Sequence, residues 1–513
     1  MFSYDKLYFQ YKKFYATYLE KLIPILNNYH KINRTKQYWE PIVGLYLRKL
    51  IFNYFFLQRI VSKKRFFKKA NINNFNLYYN FVEFQDHSDF KKINERYFLR
   101  TKNIKVYKNY KLNKKSYIFT ISNFLRIIFP YFLIKLGITR FFYQESYFKK
   151  FLRVIIYFKS FFYFSSLPFL RFKKFELDKK KIFENRLSLI KKYESKNITD
   201  PLMQNIIFFM PVNYVENFDV ILEEVKKIPI SDGLYVDGNE VKFDYVKIYI
   251  AELIFNKKKI FIGQHSLRIG LENFDIYSDY SKSTSDYFLT WGWKDKINSI
   301  VKFSSLRIFS SLKKYKKIQL KKIIGDLNVC YILPAYSTMG YCFSDNYKEN
   351  KKAEQERINL LKKIKKQKDC KITLKPRDSS FIINDQKKFY NNFEILKKKT
   401  RMYKIFGNYN IIIFERISLG IAESISLNQP TIFYYSKNLY KQKNKKYNEL
   451  LSILKKANIY FDDKNKILKI LSSKQNISLW WNNKNNIKNR KVFIQRFAKC
   501  FTYNDLSKIK KLI

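Results

Sequence analysis

Short apolar runs alternate with amphipathic segments between about residues 204 and 310. Four of these runs have the length and composition of buried strands, and they span residues 206–211, 233–236, 259–263 and 286–290. The segment 241–255 between two of them has helical periodicity. Strands that alternate with helices predict βαβ units and a parallel sheet.

A second series of the same kind follows the basic stretch 313–322. It predicts strands at 329–333, 371–374, 411–414 and 431–435, and helices at 348–366 and 420–427. Two successive series joined near residue 315 predict an α/β fold in which two Rossmann-like domains face each other across a cleft.

The predicted organisation has three parts. Residues 1–203 are rich in Tyr, Phe and Lys and predict a helical amino-terminal region without a phosphate-binding loop. Residues 204–315 form the first Rossmann-like domain, and residues 316–513 form the second, which ends in helices.

Charge changes this picture little. The chain has 101 Lys and Arg residues against 42 Asp and Glu residues. The resulting net charge of +59 favours binding to nucleic acid or to an anionic membrane. However, the basic residues are spread along the whole length, as an AT-rich coding sequence produces, and no nucleic-acid-binding motif is present. We therefore do not expect nucleic acid to be a partner.

The four cysteines, Cys330, Cys342, Cys370 and Cys500, are far apart and show no paired metal-ligand spacing. We expect a reduced, cytoplasmic protein without structural zinc. The first twenty residues lack the uninterrupted apolar core of a secretory signal peptide.

Two aromatic and basic segments, 117–138 and 149–174, are the candidates for membrane contact. Asn123, Arg126 and Pro130 interrupt the first segment, so it does not have the composition of a spanning helix. The alternatives are core packing and peripheral contact with the inner, anionic face of the plasma membrane.

The segment 260–293 holds one of the three histidines and two of the five tryptophans. Its first predicted strand ends at Gly263 and is followed by Gln264 and His265. An imidazole at the carboxyl end of a parallel strand lies where open α/β sheets bind ligands, and it can act as a general base. A packed histidine in a crossover loop is the alternative.

A candidate anion site lies in the second series. Ser418 stands at the start of a predicted helix, where backbone N–H groups can bind a phosphate. Glu423 follows and can accept hydrogen bonds from sugar hydroxyls, although a carboxylate there also favours the helix dipole. Lys375 and Arg377 follow a predicted strand and add donors suited to a diphosphate.

Metal chemistry is not expected. With only three histidines the chain offers few possible sets of metal ligands. Asp275, Asp279 and Asp286 do not form a D-x-D motif. The chain has no G-x-S-x-G elbow, Walker loop or dinucleotide fingerprint, so no cofactor is expected either.

A series of short motifs runs through nearly the whole chain. The motifs are LNNYH at 26–30 with YWE at 38–40 and GLYL at 44–47, QHSLRIG at 264–270, SDYFLTWGW at 285–293, the strand-helix-strand segment 418–435, and WW at 480–481 followed by 490–498. In this order they resemble the surface-carbohydrate transferases of bacterial O-antigen and capsule gene clusters. More distantly, the layout is similar to the teichoic-acid glycerophosphotransferases and capsule transferases with two Rossmann-like domains, the GT-B type.

The resemblance implies a role for each candidate residue. His265 corresponds to the catalytic base, and Ser418 and Glu423 correspond to the donor site. The resulting assignment is His265 as base, Lys375, Arg377, Ser418, Glu423 and Ser424 on the donor or phosphate side, and Gln264, Arg268, Trp291 and Trp293 on the acceptor side.

Two departures from the related motifs bear on this assignment. Ser266 and Leu267 replace paired glycines, which stiffens the loop beside His265. The triplet Lys375-Pro376-Arg377 replaces a Lys-x-His-Pro motif, so a phosphate-binding histidine is missing.

The expected function is that of a metal-independent transferase. It would move a sugar or sugar-phosphate group from a nucleotide-activated donor to a surface polysaccharide or lipid-linked acceptor. The alternatives are a non-catalytic glycan-binding or scaffold protein of the same fold, favoured by the loss of the glycines, and charge-driven binding to anionic lipid or nucleic acid.

Overall fold

The computed structural model describes most of the chain. The described residues are 4–60, 132–133, 136–145, 150–167, 178–194, 200–238, 243–272, 275–315, 317–319, 323–334, 347–367, 369–376, 387–397, 400, 402–435 and 445–513. The larger part of the candidate membrane segment 117–138, as well as Arg377 and Cys342, lies outside these residues.

The chain begins with a helical hairpin. Helix α1 (Tyr4–His30) packs against helix α2 (Lys36–Ile60). The Asn27 side chain closes the turn between them, because its amide donates to the Arg34 carbonyl at 2.9 Å and its oxygen accepts from the Trp39 indole at 2.8 Å. The predicted helical amino-terminal region is therefore present.

The other helices follow the predicted alternation with strands. They are α3 (Lys150–Lys159), α4 (Lys179–Glu194), α5 (Pro201–Phe208), α6 (Phe218–Lys226), α7 (Asp244–Phe255), α8 (Ile276–Ser283), α9 (Leu306–Lys314), α10 (Tyr347–Lys365), α11 (Lys387–Tyr390), α12 (Leu419–Ser426), α13 (Lys445–Lys456), α14 (Lys464–Leu471), α15 (Lys474–Asn482), α16 (Lys484–Phe497) and α17 (Asn504–Lys510). Short polar side chains accept backbone N–H groups at several helix starts, namely those of Asp200, Asp275, Ser305, Asp463 and Ser473.

The first sheet is entirely parallel among the described residues. Its strands are β1 (Phe141–Glu145), β2 (Phe164–Ser166), β3 (Gly233–Asp237), β4 (Lys259–Gly263), β5 (Tyr287–Thr290) and β6 (Ile300–Lys302). They lie in the order β2-β1-β3-β4-β5-β6. After β1 the chain adds β2 on one side, and it then crosses to the other side of β1 to add β3 and the later strands. The boundary between β1 and β3 is therefore the topological switch point of the sheet.

The second sheet is also parallel. Its strands are β7 (Leu327–Ile332), β8 (Cys370–Lys375), β9 (Glu394–Ile395), β10 (Ile411–Phe414), β11 (Thr431–Tyr434) and β12 (Tyr460–Phe461). Their order, β12-β11-β10-β7-β8-β9, is the doubly wound order of a Rossmann fold. The prediction of an α/β fold with two parallel sheets and helices is confirmed.

The two α/β units are joined by more than the connection near residue 315. Helix α9, which follows β6, contacts helix α12, which follows β10. The chain then returns to the first unit, because Cys500 forms a β-bridge with Ser305. Phe501 and Ile509 are buried in a core cluster with Phe141 and other side chains of the first sheet.

One predicted strand is wrong. The run 206–211 is the end of helix α5 and the loop after it, and its apolar side chains are buried on the helix. The cap at Asp200, which accepts the N–H groups of Leu202 and Met203, and Pro201 at the first helical position favour a helix start there.

The domain boundaries at 203 and 315 remain a prediction. Strands β1 and β2 precede residue 204 and pair with the first sheet, and α17 packs on the same unit although it lies at the end of the chain. Among the described helices, none is both long and apolar enough to cross a lipid bilayer.

Candidate functional site

The carboxyl edge of the first sheet carries a buried carboxylate at its switch point. Asp237 ends β3 and lies opposite Glu145, the last residue of β1. The Asp237 side chain is 1% exposed, and the Tyr235 hydroxyl donates to it at 3.4 Å. Ligands of open parallel sheets bind at such a crevice.

His265 lies beside Gly238, the residue that follows Asp237. It follows β4 by two residues, and β4 is the next strand to β3. Because side chains alternate between the faces of a strand, Asp237 is directed to the same face of β3 as Tyr235, whose hydroxyl lies beside Gly263 at the end of β4. The strand-end position predicted for the imidazole is the one observed.

Two neighbours fix the position of the His265 ring. The ring of Tyr277 meets it edge to face at a centroid distance of 4.5 Å. Gly238 has a φ of +76°, and a Cβ atom at this position would lie 3.2 Å from His265 Cγ. Glycine therefore satisfies two requirements here, a left-handed backbone and room for the imidazole.

Gln264 organises the loop that carries His265. Its side-chain oxygen accepts from the Trp291 backbone N–H and the Trp293 indole, both at 2.9 Å. Its side-chain nitrogen donates to the Ser266 carbonyl at 2.9 Å. Gly270 completes the unit, since a Cβ there would lie 2.8 Å from the Trp293 ring.

Three of the residues assigned to the acceptor side are therefore buried in the fold. Gln264, Trp291 and Trp293 are buried, and their polar groups bond to one another. This arrangement gives them a packing role that the sequence analysis did not foresee. Their contact with an acceptor stays a prediction.

Arg268, the fourth residue assigned to the acceptor side, belongs to a charged group in the segment between β4 and α8. Its guanidinium pairs with Glu272 at 3.2 Å. Asp275 caps helix α8 by accepting the Tyr277 N–H at 3.0 Å, and burial raises the pKa of Asp275 to about 7, against which the charge of Arg268 acts. A buried carboxyl with a raised pKa thus lies one hydrogen bond from the residue that contacts His265.

The carboxyl edge of the second sheet carries the residues assigned to the donor. Lys375 ends β8 and is buried, and its ammonium donates to the Pro376 carbonyl. Arg377 lies outside the described residues. Ser418 is the N-cap residue of α12, but its side chain does not cap the helix.

Glu423 and Ser424 have partners within the fold. The Ser424 hydroxyl donates to the Gly420 carbonyl within α12. Glu423 accepts from the Ser311 hydroxyl at 2.7 Å and from Arg307 Nε at 3.4 Å, so its carboxylate joins α12 to α9. The role of both residues in donor binding stays a prediction.

A buried network beside this edge was missed from the sequence. Glu415 directly follows β10 and accepts from Arg357 Nε at 2.8 Å and from the Tyr331 hydroxyl at 2.6 Å. Arg357 also donates to the Tyr390 hydroxyl at 2.9 Å. A glutamate directly after a fully apolar strand was a usable signal, whereas nothing in the charged sequence of α10 distinguishes Arg357.

Asp237 is the other residue of the site that the sequence analysis did not identify. The predicted strand stopped at Val236, and the assignment of β1 as its neighbour requires the sheet order, which local sequence does not contain.

The late tryptophan pair also has structural contacts. The Trp480 indole donates to the Asn458 carbonyl at 2.8 Å, and the Trp481 indole donates to the Asn428 side chain at 3.0 Å. The Arg490 guanidinium lies over the Trp481 ring at 3.9 Å. These motif residues thus hold loops and helices of the second unit in place.

The sequence of nearly the whole chain agrees with one family. The sequence profile of the LIC12162 family transferases matches residues 2–511. The chain belongs to this transferase family. Since the match covers nearly the whole chain, both α/β units and the helical hairpin are parts of the family's shared sequence.

Comparison with solved structures gives more distant resemblances. The spinosyn rhamnosyltransferase SpnG in complex with thymidine diphosphate is 8% identical, with 72% of this chain and 100% of that chain covered and a TM-score of 0.32. A variant of the wall teichoic acid polymerase TagF soaked with CDPG is 11% identical, with 77% and 97% covered and a TM-score of 0.33. No curated protein matches this chain.

Proposed function

We propose that this family member transfers a sugar or sugar-phosphate group from a nucleotide-activated donor to a surface polysaccharide or lipid-linked acceptor. The first unit binds the acceptor, the second unit binds the nucleotide, and the reaction takes place in a cleft between them. The observation that carries the proposal is the His265 imidazole, which is held between Gly238 and Tyr277 at the carboxyl edge of the first sheet.

The chemistry follows from these positions. The imidazole accepts the proton of the acceptor hydroxyl while the oxygen bonds to the anomeric carbon of the donor. The bond between that carbon and the donor phosphate oxygen breaks, and the electron pair stays on the leaving nucleotide. Lys375, Arg377 and the backbone N–H groups at the start of α12 stabilise the negative charge that develops there.

The donor side remains metal-independent in this proposal. Cationic side chains and a helix start supply the positive charge that a bound metal would otherwise provide. Glu423 and Ser424 belong to the proposed donor side through helix α12. Ser424 donates to the Gly420 carbonyl within this helix, and Glu423 joins the helix to α9.

The proposed site of action is the cytoplasmic face of the membrane, at which lipid-linked acceptors are available. The protein associates with this surface peripherally. Its net charge of +59 favours an anionic leaflet.

Nucleotide binding tests the donor class. We expect one member of a panel of UDP, CDP, TDP and GDP to raise the melting temperature, since a ligand at about 100 times its Kd adds about 2.7 kcal/mol to stability. Lys375→Met should reduce this shift. His265→Ala should keep it, because the imidazole serves the acceptor.

Turnover tests the base. With the activated sugar of the nucleotide found in this way, His265→Ala should lower turnover by about 10² to 10⁴. Full turnover by a folded His265→Ala protein would exclude His265 as the base. Asp275, Asp279 and Asp286 would then be the next candidates.

A second candidate function is non-catalytic glycan binding. It is favoured by Ser266 and Leu267, of which Leu267 is buried where related motifs have a flexible glycine. Glycan binding by a protein that binds no nucleotide of the panel would favour this alternative.

A further inference from the structure

The amino-terminal edge of the first sheet, opposite the edge that carries His265, is unusually apolar. Fifteen large apolar side chains are exposed among the described residues, and six of them lie on the segments that lead into the adjacent strands β2, β1 and β3. These six are Phe132, Leu136, Ile138, Phe158, Phe161 and Ile230. We call this surface the amino edge. Such a concentration of exposed apolar groups marks an interaction surface.

Hydrogen bonds connect the loops of the amino edge into one row. The N–H of Arg140 donates to the Tyr163 carbonyl at 3.2 Å, and the Thr139 hydroxyl donates to the Phe162 carbonyl at 2.7 Å. On the other side, the N–H of Asp232 donates to the Arg140 carbonyl at 2.7 Å. The apolar groups are therefore presented on a fixed surface.

The tip of this row adopts an unfavourable backbone conformation. Phe161 and Phe162 have φ angles of 51° and 62°, in the left-handed region that costs roughly 1–2 kcal/mol for a residue with a Cβ. This turn leaves the Phe161 side chain 85% exposed and Phe158 60% exposed. Strain that presents an aromatic ring to solvent indicates a function for that ring.

The surroundings of the amino edge are positively charged. Arg140, Lys159 and Lys257 are exposed on the segments that lead into β1, β2 and β4. The Lys510 ammonium lies 4.3 Å from the centre of the Tyr163 ring. Asp232, an acidic residue of the same row, pairs with Lys258 at 3.1 Å.

We propose that the amino edge docks on an anionic lipid bilayer, with Phe158 and Phe161 inserted at the interface. Aromatic groups that project from a basic rim match an apolar interior below a layer of negative head groups. A second copy of the chain fits less well, because it would bring two basic rims and two net charges of +59 together.

The docked orientation has a consequence that rests on the proposed function. Strand β4 runs from the amino edge to the loop of His265 and contains the five residues Lys259–Gly263. At about 3.3 Å per residue, the imidazole lies roughly 17 Å from the docked edge. The reactive end of a lipid-linked acceptor must therefore extend well beyond the head groups, as a growing glycan does and a single sugar does not.

Vesicle sedimentation tests the docking. The full chain should co-sediment with vesicles of equal parts phosphatidylcholine and phosphatidylglycerol and only weakly with pure phosphatidylcholine. The double variant Phe158→Ser with Phe161→Asn should bind the anionic vesicles roughly ten- to a hundredfold more weakly, because it removes the inserted rings. Asn is chosen at position 161 because it tolerates the left-handed backbone.

The matched control removes two equally exposed side chains elsewhere, in the double variant Phe9→Ser with Leu479→Ser, which are 72% and 71% exposed. It should bind like the parent chain. Equal binding by both double variants would overturn the proposal, and so would self-association that is lost in the first variant without any vesicle binding.

Nucleotide binding separates this proposal from the proposed function. Both double variants should keep the nucleotide-induced rise in melting temperature. Vesicle binding without any nucleotide effect would leave the docking intact and exclude the proposed donor. A nucleotide effect without vesicle binding would support the proposed donor and overturn the docking.

Discussion

Gly238 controls the space available to the His265 imidazole. Gly238→Ala would strain a backbone with φ of +76° and would put a Cβ atom 3.2 Å from His265 Cγ. Gly325→Ala strains a backbone with φ of +72° but has no atom within 4 Å of its Cβ. The two variants therefore share the strain of roughly 1 kcal/mol and differ in the contact with His265.

We expect the contact with His265 that only Gly238→Ala introduces to lower turnover. Both variants should lose similar stability in urea denaturation, whereas Gly238→Ala alone should lose about tenfold or more in turnover, because a displaced base misses its reacting geometry. Equal turnover by the two variants would mean that Gly238 does not set the position of the base.

Individual residues were predicted from sequence only as far as local signals reach. The location of His265 at a strand end follows from the apolar run before it, and the structure has it there. The burial of Gln264 by Trp291 and Trp293 joins residues more than 25 positions apart. The sequence motif shows that these residues occur together, but it does not distinguish packing from ligand contact.

At the scale of elements, the burial of the carboxyl group that caps α8 makes stability depend on pH. Burial raises the pKa of Asp275 from the usual 3.8 to about 7. Between these values the folded protein holds a proton that the unfolded chain has released, so this group makes stability fall as pH rises from about 4 to about 7. Above about pH 7 the unfavourable contribution of Asp275 to the free energy of unfolding has reached its full size and no longer changes with pH.

Asp275→Asn should remove this dependence. The amide keeps an acceptor for the Tyr277 N–H and does not titrate, so the stability of the variant relative to the parent should rise across the window by up to a few kcal/mol. Urea denaturation at about pH 5 and about pH 8 measures the change. Asp463→Asn, the same substitution at the cap of α14, is the control, and a parallel response in both variants would contradict the assignment to Asp275.

Most strands of the two sheets could be predicted because they are short, apolar and flanked by turns. The predicted runs 259–263 and 411–414 agree with β4 and β10 residue for residue. Strands β1 and β2 were missed because they are embedded in a region that is aromatic and basic throughout, which hides any boundary. The run 206–211 was misread because a short apolar segment fits a buried helix as well as a strand.

At the scale of the whole molecule, Glu423 connects the two units. It accepts from Ser311 and Arg307, which lie on α9 after the last strand of the first sheet. Glu423→Ala would leave both donors without this acceptor and should cost about 1–3 kcal/mol. Ser311→Ala removes one side of the same bond, so the double variant should lose less than the sum of the single losses.

Urea denaturation of the four proteins measures this coupling, and additive losses would contradict the connection. Nucleotide binding by the same proteins separates the two roles assigned to Glu423. A contact with the donor ribose would lower affinity in Glu423→Ala but not in Ser311→Ala. The contact between Glu423 and Ser311 could not be predicted from the sequence, because the two residues lie more than 100 positions apart.

The return of the carboxyl-terminal segment to the first unit affects how the protein is made. The last strand of the first sheet ends at Lys302, but Phe501 and Ile509 complete the core against that sheet. At ~5–20 residues per second, a ribosome needs roughly 10 to 40 s to synthesise the intervening ~200 residues. During that time the nascent first unit exposes the aromatic surface that α17 later covers, so a chain released before Phe501 is synthesised would be a substrate for chaperones and proteases rather than an independently folded domain.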